Sequence, residues 1–231
     1  MSSKPRLAIF DLDGTLIDSA PDLADALDFA LRTEGLPACG EPQARDYIGN
    51  GANRLVHRAI TGEFDGIADE SVFSKVFHTF LERYDEHLFH RSQVYCAVDQ
   101  TLGQLRQSGW TLAVATNKPA RFSRPLLKLA GIERHFSAVV SGDTLERKKP
   151  DAMPIIHLIE QFSTTAQNAA MIGDSATDVE SAANAGVRCL AVGYGYHGGY
   201  DLQQDPRCEV VDEFAALRSI LENLIPAADS A

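Results

Sequence analysis

Four short clusters hold the side chains able to do chemistry in this chain: Asp11-Leu12-Asp13-Gly14-Thr15, Thr116-Asn117, Lys148-Lys149-Pro150 and Gly173-Asp174-Ser175-Ala176-Thr177-Asp178. Four of these side chains, Asp11, Asp13, Asp174 and Asp178, are carboxylates. Two carboxylates about 4 Å apart repel by roughly 4 kcal/mol at an effective dielectric near 20. A dianionic phosphate could not approach such a group unaided, so gathering these acids requires a cation. All-oxygen ligands select a hard ion, magnesium (Mg2+) before others, retaining several waters. Lys149 adds a second positive charge. Taken singly, each cluster has an ordinary reading: DLDGT as a turn with an exposed acid, Lys149 as a solvated lysine, Asp178 as an acid in the first turn of a helix. Their shared position along the fold favours chemistry.

That position is the end of a short apolar run. Residues 7–10, 112–116, 138–141, 169–173 and 189–192 read as buried parallel strands. Helical patterns lie between them, as in Val98, Leu102 and Leu105 stopping at Gly109, and Ile155, Ile156, Ile159 and Phe162. The alternation predicts an α/β fold with a doubly wound, Rossmann-like parallel sheet. In such sheets ligands sit beyond the carboxyl ends of the strands, so all four clusters are expected to face one crevice.

Residues 18–91 break the alternation: the pattern is helical, without a convincing strand. They are expected to form an inserted helical cap, with the core made of residues 1–17 and 92–231. In the cap, Pro21 suits an opening helical turn, Leu23, Ala26, Leu27, Ala30 and Leu31 share a face, and Gly35 closes the helix. A second stripe, Phe73, Val76, Phe77, Phe80, Leu81 and Tyr84, reads as the core of that subdomain. Residues 225–231 read as a loose tail.

Composition narrows the partners. With 231 residues and 45% hydrophobic content the chain can bury a sizeable core. A net charge of -11 disfavours attraction to nucleic acid or anionic lipid, so the expected partner is a small phosphorylated metabolite, with the chain a monomer or weak homodimer. Cys39, Cys96, Cys189 and Cys208 are scattered and read as reduced thiols, not zinc ligands. No secretory or membrane-spanning apolar run is evident, which predicts a cytoplasmic protein by elimination.

Position then assigns roles. Asp11, bound to the cation, is expected to attack phosphorus and form an aspartyl phosphate. Asp13, two residues on, would protonate the leaving oxygen and later take a proton from the hydrolytic water. Thr116, with Thr15 and backbone donors near Gly14 and Asn117, would hold the phosphoryl oxygens, and Lys149 would bridge phosphate and nucleophile. Asp11, Asp13, Asp174 and Asp178 form the expected metal set, Asp178 acting through metal waters or Lys149. On the helical insert, Gly49-Asn50-Gly51 is expected to approach the substrate.

The set DLDGTL, TN, KP and GDSATD resembles the four motifs of the haloacid dehalogenase-like (HAD) superfamily. The resemblance implies Asp11 as nucleophile and Asp13 as acid and base that also lends a backbone carbonyl to magnesium. It further implies Asp174 as a metal ligand and the helical insert as a mobile cap. Within the superfamily, FDLDGTLIDSAPDL, YIGNGANRLVHRA, TNKP, GDSATD and VGYGYHGG are most similar to the bacterial phosphoglycolate phosphatase group, which implies hydrolysis of 2-phosphoglycolate, with Arg58 beside the Gly49-Asn50-Gly51 loop as the expected partner of its carboxylate. Ala152 departs from that group, where proline is frequent.

Other readings stay open at this level: a phosphatase of a sugar phosphate, nucleotide or pyrophosphate, a phosphomutase on the same core, or a noncatalytic phosphoaspartate switch. A dehalogenase would need no second acid, so Asp13 argues for an oxygen leaving group. Gly193-x-Gly195-x-x-Gly198 imitates a dinucleotide fingerprint, but the segment after it lacks an apolar helical face. That loop is expected beside the phosphate crevice.

Overall fold

The computed structural model describes residues 5–226. In chain order the elements are β1 (Arg6–Phe10), β2 (Ile17–Asp18), α1 (Ala20–Thr33), α2 (Glu41–Tyr47), α3 (Ala52–Thr61), α4 (Glu70–Glu86), β3 (Gln93–Val94), α5 (Val98–Gln107), β4 (Trp110–Ala115), α6 (Ala120–Leu129), β5 (Ala138–Val140), α7 (Met153–Gln161), β6 (Ala169–Gly173), α8 (Ala176–Ala185), β7 (Arg188–Val192), β8 (Cys208–Val211) and α9 (Leu217–Leu224). Six strands form one parallel sheet in the order β5-β4-β1-β6-β7-β8. β1 is central, paired with β4 on one side and β6 on the other, so the chain reverses its winding direction there. Ligand crevices open at that kind of switch point.

The sheet is buried because its strands are continuous apolar runs covered on both faces. Leu7, Ala8, Ile9 and Phe10 are fully inaccessible, and alternate residues feed two cores. Ala8 and Phe10 join the core that continues into α1 and α4, whereas Leu7 and Ile9 join the core under α7 and α8. Burying a side chain such as Phe10 contributes about 2 to 3 kcal/mol.

Between β2 and β3 the chain is helical. α1 and α4 pack along each other through Leu27, Leu31, Phe73, Val76 and Phe80, with α2 and α3 closing the bundle. The two crossings into this bundle meet as a short antiparallel pair, Ile17 with Val94 and Asp18 with Gln93. Asp22, buried at the start of α1, fastens the return crossing: its carboxylate accepts the backbone N–H groups of His90, Arg91 and Ser92 and the Ser92 hydroxyl.

Three departures from the sequence pattern follow from physics at the edges. β8 is a sixth strand, short and half-exposed, lacking the apolar run that betrays a central strand. Ile156 lies on the solvent side of α7 at 41% exposure, while Ile155 and Leu158 carry its buried face. Ile225, assigned to a loose tail, is packed into the core below α9; residues 227–231 of that expected tail lie outside the described residues. The four cysteines are unpaired, Cys189 buried and Cys96 exposed. No helix among the described residues is long and apolar enough to cross a membrane.

Candidate active site

Asp11 follows the last residue of β1, and its backbone N–H still donates to Ile172 of β6 at 2.8 Å. It is 7% exposed. β6 ends at Gly173 and delivers Asp174 beside it. Ser175 then opens α8 with a capping box in which Asp178 is the reciprocal partner. One carboxylate oxygen each from Asp11, Asp174 and Asp178 lies within 4.8 Å of the others. Gly173 makes this possible, because a Cβ there would stand 2.3 Å from the Asp178 carboxyl carbon.

The three acids differ in how they are satisfied. Asp178 is fully engaged by protein: Oδ1 accepts Lys149 Nζ at 2.6 Å, and Oδ2 accepts the N–H groups of Asp174 and Ser175 and the Ser175 hydroxyl. Through these bonds Asp178 holds Lys149 and the turn that carries Asp174, while one of its oxygens stays within 4.8 Å of those of Asp11 and Asp174. Asp174 is held on both oxygens, Oδ1 by the Thr15 hydroxyl and Oδ2 by the Tyr196 N–H, each at 2.6 Å. Asp11 Oδ1 is buried and receives no hydrogen bond; Lys149 Nζ is 3.0 Å away but out of line.

Charge crowding shows in the protonation equilibria. Burial, opposed by the Lys149 charge and reinforced by Asp178, pushes the Asp11 carboxyl up to about 7. Burial and then the charges of Asp178 and Asp11 push Asp174 well above the carboxylate range. Burial works to lower Lys149, but Asp11 and Asp178 outweigh it and raise the ammonium to about 12. One lysine against three buried acids leaves a deficit of positive charge. The residues therefore fit a divalent cation: an orphaned carboxylate oxygen on Asp11, a second hard oxygen donor on Asp174, and excess negative charge.

Asp13 is placed differently. Its carboxylate turns from the acidic group toward Lys118 Nζ, 3.0 and 3.2 Å from its two oxygens, and toward the Ser19 hydroxyl. Its side chain stands apart from the three clustered acids, which leaves the backbone carbonyl as the part of Asp13 that the sequence reading assigns to the metal. Thr116 follows β4, buried and lining the same pocket, and Asn117 braces the site by donating to the carbonyls of Gly49 and Lys149 at 3.1 and 3.0 Å.

Several expected substrate contacts are structural supports. The Gly14 N–H is spent on Ile17 O at 2.9 Å, so it is not a phosphate donor; the glycine is needed because a Cβ would stand 2.1 Å from Asp174 Oδ2. Thr15 holds Asp174. Asn50 bridges elements, its amide donating to Thr177 Oγ1 and its carbonyl accepting Lys148 Nζ. Arg58 is turned inward: it donates to Phe64 O, Tyr47 O and Asn50 Oδ1, all at 2.8 Å, and stacks on Phe64. Burial, then the charge of Arg54, lowers it to about 10. It supports the Gly49-Asn50-Gly51 loop and does not line the pocket, its Nε, Nη1 and Nη2 each turned to an acceptor elsewhere.

The pocket lies between Asp11, Asp13, Thr116, Asn117 and Lys118 on one side and Gly49, Gly51, Leu55, Phe80 and Tyr84 on the other. The aromatic stripe of α4 thus packs the helical bundle and also ends on the ligand space. The glycine-rich loop after β7 closes the far flank of Asp174: a Cβ on Gly195 would be 2.2 Å from Asp174 Cβ. The sequence reading missed Lys118 and Tyr196. Lys118 directly follows Thr116-Asn117 at a strand end, a signal of the same kind that singled out its neighbours. Tyr196 acts through its backbone, which no residue type announces.

Residues 8–192 match the family model described as haloacid dehalogenase-like hydrolase. The chain belongs to the haloacid dehalogenase-like hydrolase family. A phosphoglycolate phosphatase of Nitrosococcus oceani is 36% identical over 221 residues, covering 96% of this chain and 98% of that protein. One of Chromobacterium violaceum is 41% identical over 218 residues, covering 94% and 97%. The crystal structure of a predicted phosphoglycolate phosphatase from Haemophilus somnus superposes with a TM-score of 0.86 at 33% identity, covering 94% of this chain and 98% of that one.

Proposed function

We propose that this hydrolase cleaves phosphate monoesters through an aspartyl phosphate on Asp11, with 2-phosphoglycolate as its substrate. The observation that carries the reading is the convergence at one crevice of a buried, hydrogen-bond-free carboxylate oxygen on Asp11, a lysine 3.0 Å from it, and a separate acid, Asp13, on the pocket side. The named activity of the relatives selects the substrate.

Asp11 attacks phosphorus as the ester P–O bond breaks, and Asp13 hands a proton to the departing glycolate oxygen. Water then attacks the acyl phosphate, giving its proton to Asp13, and phosphate leaves with Asp11 restored. Lys149 spreads positive charge over nucleophile and phosphoryl oxygens, and the Thr116 hydroxyl donates to an equatorial oxygen. Asp11 and Asp174 would hold magnesium, which supplies charge neutralisation for the phosphoryl group. Asp178 keeps Lys149 aimed. The helices between β2 and β3 act as a cap that excludes water from the pocket.

The experiment is phosphate release from phosphoglycolate, sugar phosphates and nucleotides, with and without a chelator. Many equivalents per chain, highest kcat/KM for phosphoglycolate and loss on chelation are expected. A stoichiometric burst, or a clear preference for another ester, would overturn the reading.

A further inference from the structure

Beyond the phosphoryl subsite, the pocket wall is apolar: Leu23, Ile48, Leu55, Phe80 and Phe122 surround it. Among the described residues Lys118 is the one cationic residue on that wall. Its side chain is 3% exposed, its ammonium lies 4.6 Å from the centre of the Tyr84 ring, and its hydrogen-bond acceptors among the described residues are the two oxygens of Asp13. Tyr84 also lines the wall, and its hydroxyl is buried without a partner among the described residues. An ammonium has three donors, and a buried phenol wants one acceptor. Donor capacity is therefore left over in a chamber with little else polar.

We propose that Lys118 is the specificity-determining residue that binds the carboxylate of the leaving group, its ammonium lying 3.0 Å from Asp13 on an otherwise apolar wall. The inference rests on the proposed phosphatase reading and narrows its substrates to phosphate esters of short 2-hydroxy acids. Asp13 must touch the ester oxygen, and in such an ester a carboxylate oxygen lies only about 3 Å from it, the length of one charge-assisted hydrogen bond. A cation already paired with Asp13 is at that reach. When the substrate carboxylate arrives, Lys118 exchanges partners, and an oxygen of Asp13 is released to face the leaving group. A neutral alcohol cannot make the exchange, so the ion pair itself discriminates against it.

The test compares phosphoglycolate with ethyl phosphate, which matches it in size but lacks the carboxylate, in wild type, Lys118→Met and Lys118→Arg. Any loss transmitted through Asp13 or through partial unfolding falls on both esters alike, so the ratio of the two kcat/KM values reports recognition alone. Lys118→Met should lower that ratio about 10- to 100-fold, and Lys118→Arg should restore part of it. Glycolate should lose potency as a competitive inhibitor of Lys118→Met by a similar factor. An unchanged ratio in Lys118→Met overturns the proposal while leaving the phosphatase reading standing. A wild-type enzyme that does not prefer phosphoglycolate overturns the substrate reading, and this assignment with it.

Discussion

The backbone N–H of Tyr196 donates to Asp174 Oδ2 at 2.6 Å, while the phenol of the same residue donates to Asp18 Oδ1 at 2.6 Å in β2. One residue of the loop after β7 therefore touches both a candidate metal ligand and the strand that leads into the helical bundle. Arg45 of α2 completes the link by pairing with Asp18 Oδ2 at 3.0 Å and lying over the Tyr196 ring. Tyr196→Phe keeps the bond to Asp174 but strips Asp18 and the Ala20 N–H of a partner. Stability should fall by about 1 to 2 kcal/mol, measured by denaturant unfolding, and the magnesium concentration for half-maximal activity should rise.

Gly195→Ala attacks the same ligand sterically. The new Cβ would stand 2.2 Å from Asp174 Cβ, the root of a side chain and unable to swing away as a flexible tip would. Magnesium affinity, measured by titration calorimetry, should weaken about 10- to 100-fold while the circular dichroism spectrum is retained.

Removing the nucleophile should abolish turnover. Asp11→Asn is expected to cost roughly 10^4-fold or more in kcat, since the other carboxylate on the pocket, Asp13, is held by Lys118 and Ser19. It also removes one of three crowded negative charges, so the metal-free variant should unfold no earlier than wild type. Residual phosphatase activity within tenfold of wild type would contradict the assignment.

Metal dependence should vary with pH in a defined direction. The Asp11 carboxyl is raised from 3.8 to about 7 in the folded, metal-free protein, so the folded state binds more protons than the unfolded state between those values. Stability of the metal-free form should then fall as pH rises through that window. Magnesium competes with the proton, so its stabilising shift in melting temperature should grow from pH 5 to pH 8, as read by differential scanning fluorimetry.

Arg58 should matter for shape rather than charge. Arg58→Met leaves Phe64 O, Tyr47 O and Asn50 Oδ1 without their donor and should cost about 2 kcal/mol of stability. Its KM values for phosphoglycolate and ethyl phosphate should rise by the same factor. A rise for phosphoglycolate alone would return Arg58 to the list of carboxylate contacts.

How legible all this is from the sequence depends on whether a residue acts by type or by path. The apolar runs ending in Phe10, Ala115, Val140 and Gly173 announce a parallel sheet because a strand buried on both faces has to be apolar throughout. The acids at those ends are equally visible. β8 escapes because an edge strand half in water carries no such signature. Thr15, Gly14 and Asn50 were visible as polar or flexible residues near the centre, but their partners are set by the fold: Asp174, separated from Thr15 by 159 positions, could not be read from local pattern. Lys118 was overlooked because the more familiar lysine, Lys149, already met the demand for charge.

The paired crossings at Asp18 and Gln93 have a constructional meaning. Because departure and return lie side by side, the intervening helices hang from the core like an interchangeable tool head. The strand pairings that set Asp11 between β4 and β6 are made within the sheet itself, by β1 with β4 and with β6. A bundle of different size or lining could be spliced in at these two residues, redirecting selectivity while the phosphoryl-handling apparatus is inherited intact.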